Sequence, residues 1–188
     1  MQWESAIPRP LAADDARPAC PPMDADAFAA FYERAARPLW AYLARVSADR
    51  ALADDLMQES FVRFLTAARP ADGEVAARRY LFRIATNLLR DHWRRPQTSS
   101  IDDAPEAFLA ALPLESPAAR MLLEPVFRQL TPRDRQLLWL AYAEGYTHRE
   151  MAEVTGLASA SIRLLLFRAR RRMAALLKTP RTQTGGQP

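Results

Sequence analysis

Apolar residues recur at helical spacing through most of the chain, which predicts helices rather than strands. In the N-terminal half the apolar positions form three runs, Phe28 to Leu43, Leu52 to Leu65 and Leu81 to Leu89. In the second run, the side chains that can point inward are Leu52, Leu56, Phe61, Phe64 and Leu65. Pro38 lies within the first run, and proline is tolerated there if it opens a second helix after a break at Arg37. The pattern therefore predicts an all-α fold, with four helical segments in this half.

The last third of the chain predicts a helix-turn-helix. Thr147 and Glu150 have the spacing of a capping box, in which each side chain accepts a hydrogen bond from the other residue's backbone N–H. Gly156 suits the left-handed conformation that ends a first helix, and Ser159 suits the N-cap of a second helix running to about Leu177. The inward stripe of that second helix is predicted to be Ile162, Leu166, Ala169, Met173 and Leu176.

The outer face of this second helix is basic and carries one aromatic ring. The residues outside its apolar stripe are Arg163, Phe167, Arg168, Arg171 and Arg172. Such a face is typical of a helix that enters a DNA groove. A solvated helix in a bundle can present the same residues, so this segment alone leaves both interpretations open.

Proline-rich and acidic stretches divide the 188-residue chain. We expect a disordered arm at 1–23, a flexible linker at 96–117 and a disordered tail at 179–188. Two small helical domains then remain, at 24–95 and 118–178. The helix-turn-helix belongs to the second of them.

Charge and rare residues narrow the function classes. The net charge is only +4, but arginines cluster at 78–95 and 163–172, which indicates nucleic acid as a partner. One cysteine, Cys20, and two histidines, His92 and His148, offer neither a disulfide framework nor enough zinc ligands. We find no catalytic constellation and expect no enzyme, cofactor or metal. No apolar run approaches the ~18 residues that span a bilayer, so we expect a cytoplasmic protein without membrane insertion.

Two further helical faces carry candidate chemistry. Polar residues fall together on the outer side of the second run, at Asp54, Asp55, Gln58 and Glu59. That face is either solvated or docks on a basic protein surface. Around the third run, arginines alternate with Tyr80 and Trp93, a mixture that suits single-stranded nucleic acid, although each ring alone is more typical of a core position.

Three segments in this order resemble the bacterial extracytoplasmic-function sigma factors, the small two-domain members of the RNA polymerase sigma family. Residues 54–61 are similar to the family's acidic D-L-x-Q-E-x-F stretch, and residues 80–95 to its W-L-x-x-I-A-x-N-x-x-x-D-x-x-R segment. Residues 130–135, with the helix-turn-helix, are similar to its C-terminal domain. The resemblance covers about 25–177, apart from the linker.

The resemblance implies a promoter-specificity subunit that recruits core RNA polymerase and performs no chemistry itself. Docking on the β′ coiled coil is then expected from Asp54, Asp55, Gln58 and Glu59. Contacts with the −10 element are expected from Tyr80, Arg83, Asn87, Asp91, Arg94 and Arg95, and with the −35 element from Ser161, Arg163, Leu164, Phe167, Arg168 and Arg171. A loop at about 69–75 is expected to take a flipped base. The resemblance also implies an anti-sigma protein as a partner, and a monomer when free.

Departures from the family pattern keep other functions open. Tyr80 stands where the family usually has tryptophan, and Leu164 and Leu165 replace a small polar residue and an arginine. Losing an arginine weakens phosphate binding, whereas leucines can contact thymine methyls or a partner protein. One alternative is a helix-turn-helix regulator that binds DNA without polymerase; another is a helical adaptor that binds a protein through the two leucines. Salt titration of DNA binding separates these classes.

Overall fold

The computed structural model of the 188-residue chain describes residues 19–20, 23–67, 69–70, 73–94 and 117–178. Seven helices make up most of these residues. They are α1 Ala25–Ser47, α2 Arg50–Thr66, α3 Gly73–Arg94, α4 Pro117–Gln129, α5 Pro132–Tyr142, α6 His148–Thr155 and α7 Ser159–Lys178. The all-α prediction is confirmed. The predicted linker and tail lie almost entirely outside the described residues.

A short strand pair accompanies the helices. Strand β1, Ala19–Cys20, pairs antiparallel with β2, Arg69–Pro70, so that Ala19 lies opposite Pro70 and Cys20 opposite Arg69. The sequence predicts no regular structure for the arm at 1–23, and the structure differs from that expectation at these two residues. The pairing brings this part of the arm against the loop that precedes α3.

Helix α1 runs continuously through Pro38, so the predicted break at Arg37 is wrong. Proline costs α1 the hydrogen bond that position 38 would donate to the carbonyl of Arg34. Packing offsets this loss, because one apolar face of α1 is buried on both sides of the proline. Its buried residues there include Phe31, Ala35, Leu39 and Tyr42.

Helices α1, α2 and α3 pack together as the N-terminal half. The rings of Phe31 and Phe64 stack with centroids 5.0 Å apart. The buried stripe of α2 passes through Ala53, Leu56 and Phe64. Leu65, which the sequence places inside, is 46% exposed, so that expectation is wrong. It lies one residue beyond Phe64, and a step of one residue turns a helical side chain by about 100°.

The C-terminal half confirms the predicted helix-turn-helix. Thr147 and Glu150 form the capping box at the start of α6, and Gly156 ends this helix with a φ of 69°. Helix α7 begins near the predicted start and ends at Lys178, but Ser159 is its first helical residue rather than its N-cap. Along its inward stripe, Ile162, Leu166 and Ala169 are buried and Met173 and Leu176 are partly buried.

The two halves pack against each other, α1 against α5 and α3 against α6. Tyr42 of α1 lies at their centre and is fully buried. Its hydroxyl accepts a hydrogen bond from Gln136 Nε2 at 2.7 Å and shares another with Thr86 Oγ1 at 2.6 Å. Burial raises the pKa of Tyr42 to about 12, so the phenol stays neutral. This neutral network joins the halves without placing an unpaired charge in the core.

Candidate docking and nucleic-acid interfaces

The acidic face of α2 lies on the molecular surface, but its residues are not equivalent. Asp54 Oδ1 accepts a hydrogen bond of 2.6 Å from Trp40 Nε1. The guanidinium of Arg50 lies 5.3 Å from the Trp40 ring centroid, which adds a cation–π contact to this group. Glu59 pairs with Arg63, one turn along α2, at 2.7 Å. Asp54 and Glu59 are therefore partly committed to contacts within the chain.

Asp55 and Gln58 form the open part of the face. Both are exposed, and they lie three positions apart on α2, so their side chains share one side of the helix. Neither side chain forms a hydrogen bond or ion pair with another described residue. A carboxylate and an amide in this position offer a charge and a bidentate hydrogen-bonding group to a basic partner.

Helix α3 carries most of the residues predicted for the −10 element on one side. Tyr80, Arg83, Asn87 and Asp91 follow at intervals of three or four and are partly buried, whereas Arg94 is exposed. Arg95 lies outside the described residues. Asn87 Oδ1 accepts a hydrogen bond from Arg90, and Asp91 pairs with Arg94. Arg83 has neither a hydrogen bond nor an ion pair with another described residue, which leaves its guanidinium available.

The aromatic rings of Tyr80 and Trp93, both on α3, differ in their exposure to solvent. Tyr80 lies 6.3 Å from Phe64, centroid to centroid, and packs against the core. Trp93 is exposed. The core interpretation therefore fits Tyr80, while Trp93 presents an aromatic surface to solvent beside the basic end of α3.

Helix α7 presents every residue predicted for the −35 element on its exposed side. These are Ser161, Arg163, Leu164, Phe167, Arg168 and Arg171. The guanidinium of Arg171 lies 5.9 Å from the ring centroid of Phe167. Leu164 is 50% exposed, whereas Leu165 is partly buried against the core. The two leucines thus have different environments, and only Leu164 belongs to the exposed face.

Arg172 lies at the edge of this face and has a structural partner. It donates to both carboxylate oxygens of Asp134, at 2.8 and 2.7 Å, and links α7 to α5. The Asp134 side chain is nearly buried, so this pair holds the helix-turn-helix against α5. The other arginines of the face remain on its open side.

Two arginines at the start of the basic segment were not among the predicted site residues. Arg78 Nη2 lies 2.5 Å from Glu144 Oε2, and Arg79 Nη1 lies 3.0 Å from Glu150 Oε1. Burial raises the pKa of Glu144, an effect that Arg78 opposes. Hydrogen bonds from Thr147 lower the pKa of Glu150, with Arg79 adding to the effect. The arginine cluster was visible in the sequence, but its partners lie 66 and 71 positions away.

The described part of the chain holds no group of three His, Cys, Asp or Glu side chains that could bind a metal ion. Among its helices, none has both the length and the apolar character to cross a membrane.

Comparison with known proteins decides the family. Residues 31–98 match the model of Sigma-70 region 2, and residues 120–173 match that of Sigma-70, region 4. The ECF RNA polymerase sigma factor EcfG of Rhodopseudomonas palustris is 30% identical over 138 residues, covering 70% of this chain and 73% of the relative. The chain belongs to the ECF RNA polymerase sigma factors. This sigma factor is also 27% identical over 150 residues to SigM of Bacillus subtilis, covering 77% of this chain and 91% of that relative.

A solved structure agrees with the architecture. The sigma factor RpoE of Bartonella quintana, solved in complex with the anti-sigma factor NepR, superposes with a TM-score of 0.63 at 20% identity. The match covers 82% of this sigma factor and 98% of that chain, and it concerns the fold. The family assignment confirms the predicted promoter-specificity subunit of RNA polymerase, in preference to the plain regulator and the adaptor.

Proposed function

We propose that this sigma factor binds core RNA polymerase through the exposed face of α2 and reads promoter DNA through α3 and α7. It acts in the cytoplasm as a monomer until it meets polymerase, and it contributes binding rather than chemistry. The observation that carries the proposal is the exposure of Asp55 and Gln58. They are exposed side by side on α2, next to acids held in position by Trp40 and Arg63, and have no partner within the described residues.

The −10 element is bound by α3. Arg83 and Arg94 hold phosphates, Asn87 and Asp91 offer hydrogen bonds to bases, and Tyr80 supports the helix from the core side. Arg95 adds charge at the end of this segment. Strand separation costs a few kcal/mol per extruded base, which stacking and phosphate contacts offset. The flipped base is taken by the segment at about 69–75, which includes β2 and the first residues of α3, with 71–72 outside the described residues.

The −35 element is bound by α7 in the major groove. Ser161 and Arg163 lie near the start of the helix, where base edges are reached, and Arg168 and Arg171 contact phosphates. Phe167 and Leu164 add apolar surface that suits thymine methyl groups. The helix therefore combines charge with an apolar strip, which fits a thymine-containing site.

An anti-sigma protein controls this activity. The proposal rests on the related fold of the Bartonella quintana sigma factor, which was crystallised with the anti-sigma factor NepR. Inhibition of this kind requires a partner that covers the polymerase-docking or DNA-binding faces.

A binding experiment tests the central proposal. Purified core RNA polymerase is titrated with the wild-type chain, with an Asp55→Ala/Gln58→Ala variant and with Glu33→Ala as the control. Glu33 is an exposed acid on α1, so its substitution changes charge by the same amount away from α2. We expect the double substitution to weaken binding about tenfold or more and the control to bind as the wild type does. A folded wild-type chain that fails to bind core polymerase contradicts the proposal.

A further inference from the structure

The boundary between the two halves has opposite charges on its two sides. Arginines come from the N-terminal half, and the glutamates that they meet come from the C-terminal half. The pairs are Arg45 with Glu124, Arg78 with Glu144, and Arg79 with both Glu150 and Glu153. Two of these arginines, Arg78 and Arg79, lie on α3 directly before the residues assigned to the −10 element.

Glu144 is positioned for Arg78 by its own half. Its carboxylate is 3% exposed, and its second oxygen accepts a hydrogen bond from Trp139 Nε1 at 3.2 Å. On the other side, the Arg78 guanidinium lies 5.6 Å from the ring centroid of Phe82. Only the Glu144 end of this pair is shielded from water, since the Arg78 side chain is 38% exposed. Removing the arginine would leave a buried carboxylate without its cation.

Glu150 is fixed in place by the capping box. Its Oε2 accepts hydrogen bonds from the Thr147 backbone N–H at 2.9 Å and from the Thr147 hydroxyl at 2.8 Å, while Oε1 faces Arg79. Glu153 lies 3.5 Å from the same arginine, one turn along α6. Two carboxylates therefore pair with Nη1 of Arg79. Carboxylates and phosphates bind a guanidinium through the same kind of charge-assisted hydrogen bond, so they are alternative partners for this side chain.

Contacts between the halves also extend into the interior. Phe82 of α3 meets Tyr146, in the loop between α5 and α6, edge to face at 6.0 Å. The Arg45 side chain is 2% exposed and that of its partner Glu124 is 10% exposed. These contacts bury apolar surface and charge together, so they favour one defined arrangement of the halves.

We propose that, in the free protein, glutamates of the C-terminal half hold Arg78 and Arg79 and compete with promoter DNA for them. The inference rests on the proposed function of α3, since it makes the molecule its own inhibitor at the −10 contact. Helix α7 is not included, because its candidate DNA-binding residues are exposed in the same arrangement. Contact of single-stranded DNA with Arg78 and Arg79 then requires the halves to separate, whereas binding of duplex DNA to α7 does not.

The first test measures how the two halves are arranged in the free protein, without DNA or polymerase. Spin labels are placed in a Cys20→Ser background at Ala29→Cys on α1 and Ala158→Cys before α7, both exposed positions. Pulsed electron paramagnetic resonance should give a single narrow distance distribution for the parent. Glu144→Gln/Glu150→Gln should broaden and lengthen it, and glutamine keeps the capping box. An Asp26→Asn/Glu33→Gln control, which changes exposed acids on α1, should leave the distribution unchanged.

The second test measures DNA binding by the same proteins. Affinity for a fluorescent single-stranded oligonucleotide should rise about fivefold or more in Glu144→Gln/Glu150→Gln, the lower end of typical coupling between sites. Affinity for duplex DNA should change much less. The Asp26→Asn/Glu33→Gln control has the same change in net charge and should bind as the parent does.

Three results would overturn the inference. They are a broad distance distribution in the parent protein, an unchanged narrow distribution in the Glu144→Gln/Glu150→Gln variant, and an equal gain of DNA affinity in variant and control. Failure of the proposed function is a separate outcome, because a chain that did not bind core polymerase would still give the distance result.

Discussion

Trp40 Nε1 and Asp54 Oδ1 lie 2.6 Å apart and join α1 to α2, although Asp54 belongs to the acidic segment assigned to polymerase docking. One of the four acidic-face residues thus has a structural role. The consequence is that substitutions along this segment should separate into those that affect docking and those that affect the fold.

Asp54→Ala should lower the free energy of unfolding by about 1 kcal/mol, because the Trp40 indole loses its acceptor. Its affinity for core polymerase should fall less than that of Asp55→Ala/Gln58→Ala. Urea unfolding and polymerase titration on the same samples check both parts. Loss of polymerase binding at unchanged stability would assign Asp54 to docking instead.

Tyr42→Phe should destabilise the protein by about 1–3 kcal/mol, because it leaves the buried polar groups of Thr86 and Gln136 without their shared partner. Tyr32→Phe is the matched control, since Tyr32 is exposed. Thermal and urea unfolding measure the difference. Equal stability of the two variants would show that the buried network contributes little.

Ala48→Gly should stabilise the protein by about 1 kcal/mol. Ala48 ends α1 in the left-handed conformation with a φ of 63°, which glycine adopts without the cost of a Cβ. Ala29→Gly, at an exposed position inside α1, should have the opposite effect of similar size. Both variants are compared by urea unfolding, and a destabilised Ala48→Gly would contradict the argument.

Leu164→Ser should leave stability within about 0.5 kcal/mol of the parent, because the side chain is half exposed, and should reduce binding to −35 duplex DNA. Leu165→Ser should cost about 1–3 kcal/mol, since Leu165 packs against the core. Unfolding and DNA titrations on both variants check the contrast. Unchanged DNA binding by Leu164→Ser would remove this leucine from the interface.

The capping box predicts a pH dependence. The folded protein holds the pKa of Glu150 below its ordinary value of 4.5, so its contribution to stability is present above that pH and is lost as pH falls through the lowered folded value. The stability difference between wild type and Glu150→Gln should therefore be largest near neutral pH and shrink below about 4.5. A difference that did not vary with pH would contradict the ionic role.

Local features of the fold were predictable from the sequence. The cap at Thr147, the left-handed Gly156 and the start of α7 depend on residues within a few positions of one another. The predicted break at Arg37, before Pro38, is wrong because proline's loss of one helical hydrogen bond is offset by the buried apolar face of α1, which the sequence alone does not show. Leu65 was misplaced because the apolar residues of α2 are too numerous to define one stripe.

Contacts between the two halves could not be predicted from the sequence. Tyr42 and Gln136 are 94 positions apart, and their pairing depends on how α1 lies against α5. An isolated tyrosine or glutamine carries no signal of such a partner. The exposed faces of α2 and α7 were easier to predict, because amphipathic spacing alone places their residues on the surface.

Under the docking and the inhibition proposed above, the exposure of Asp55 and Gln58 places the steps of polymerase association in an order. Both side chains are on the surface while Arg78 and Arg79 are still held by their glutamates. Polymerase can therefore bind the sigma factor first, at a rate proportional to the polymerase concentration. Separation of the halves follows as a unimolecular step whose rate does not depend on concentration. Promoter opening would then wait on the sigma subunit's own rearrangement rather than on its abundance.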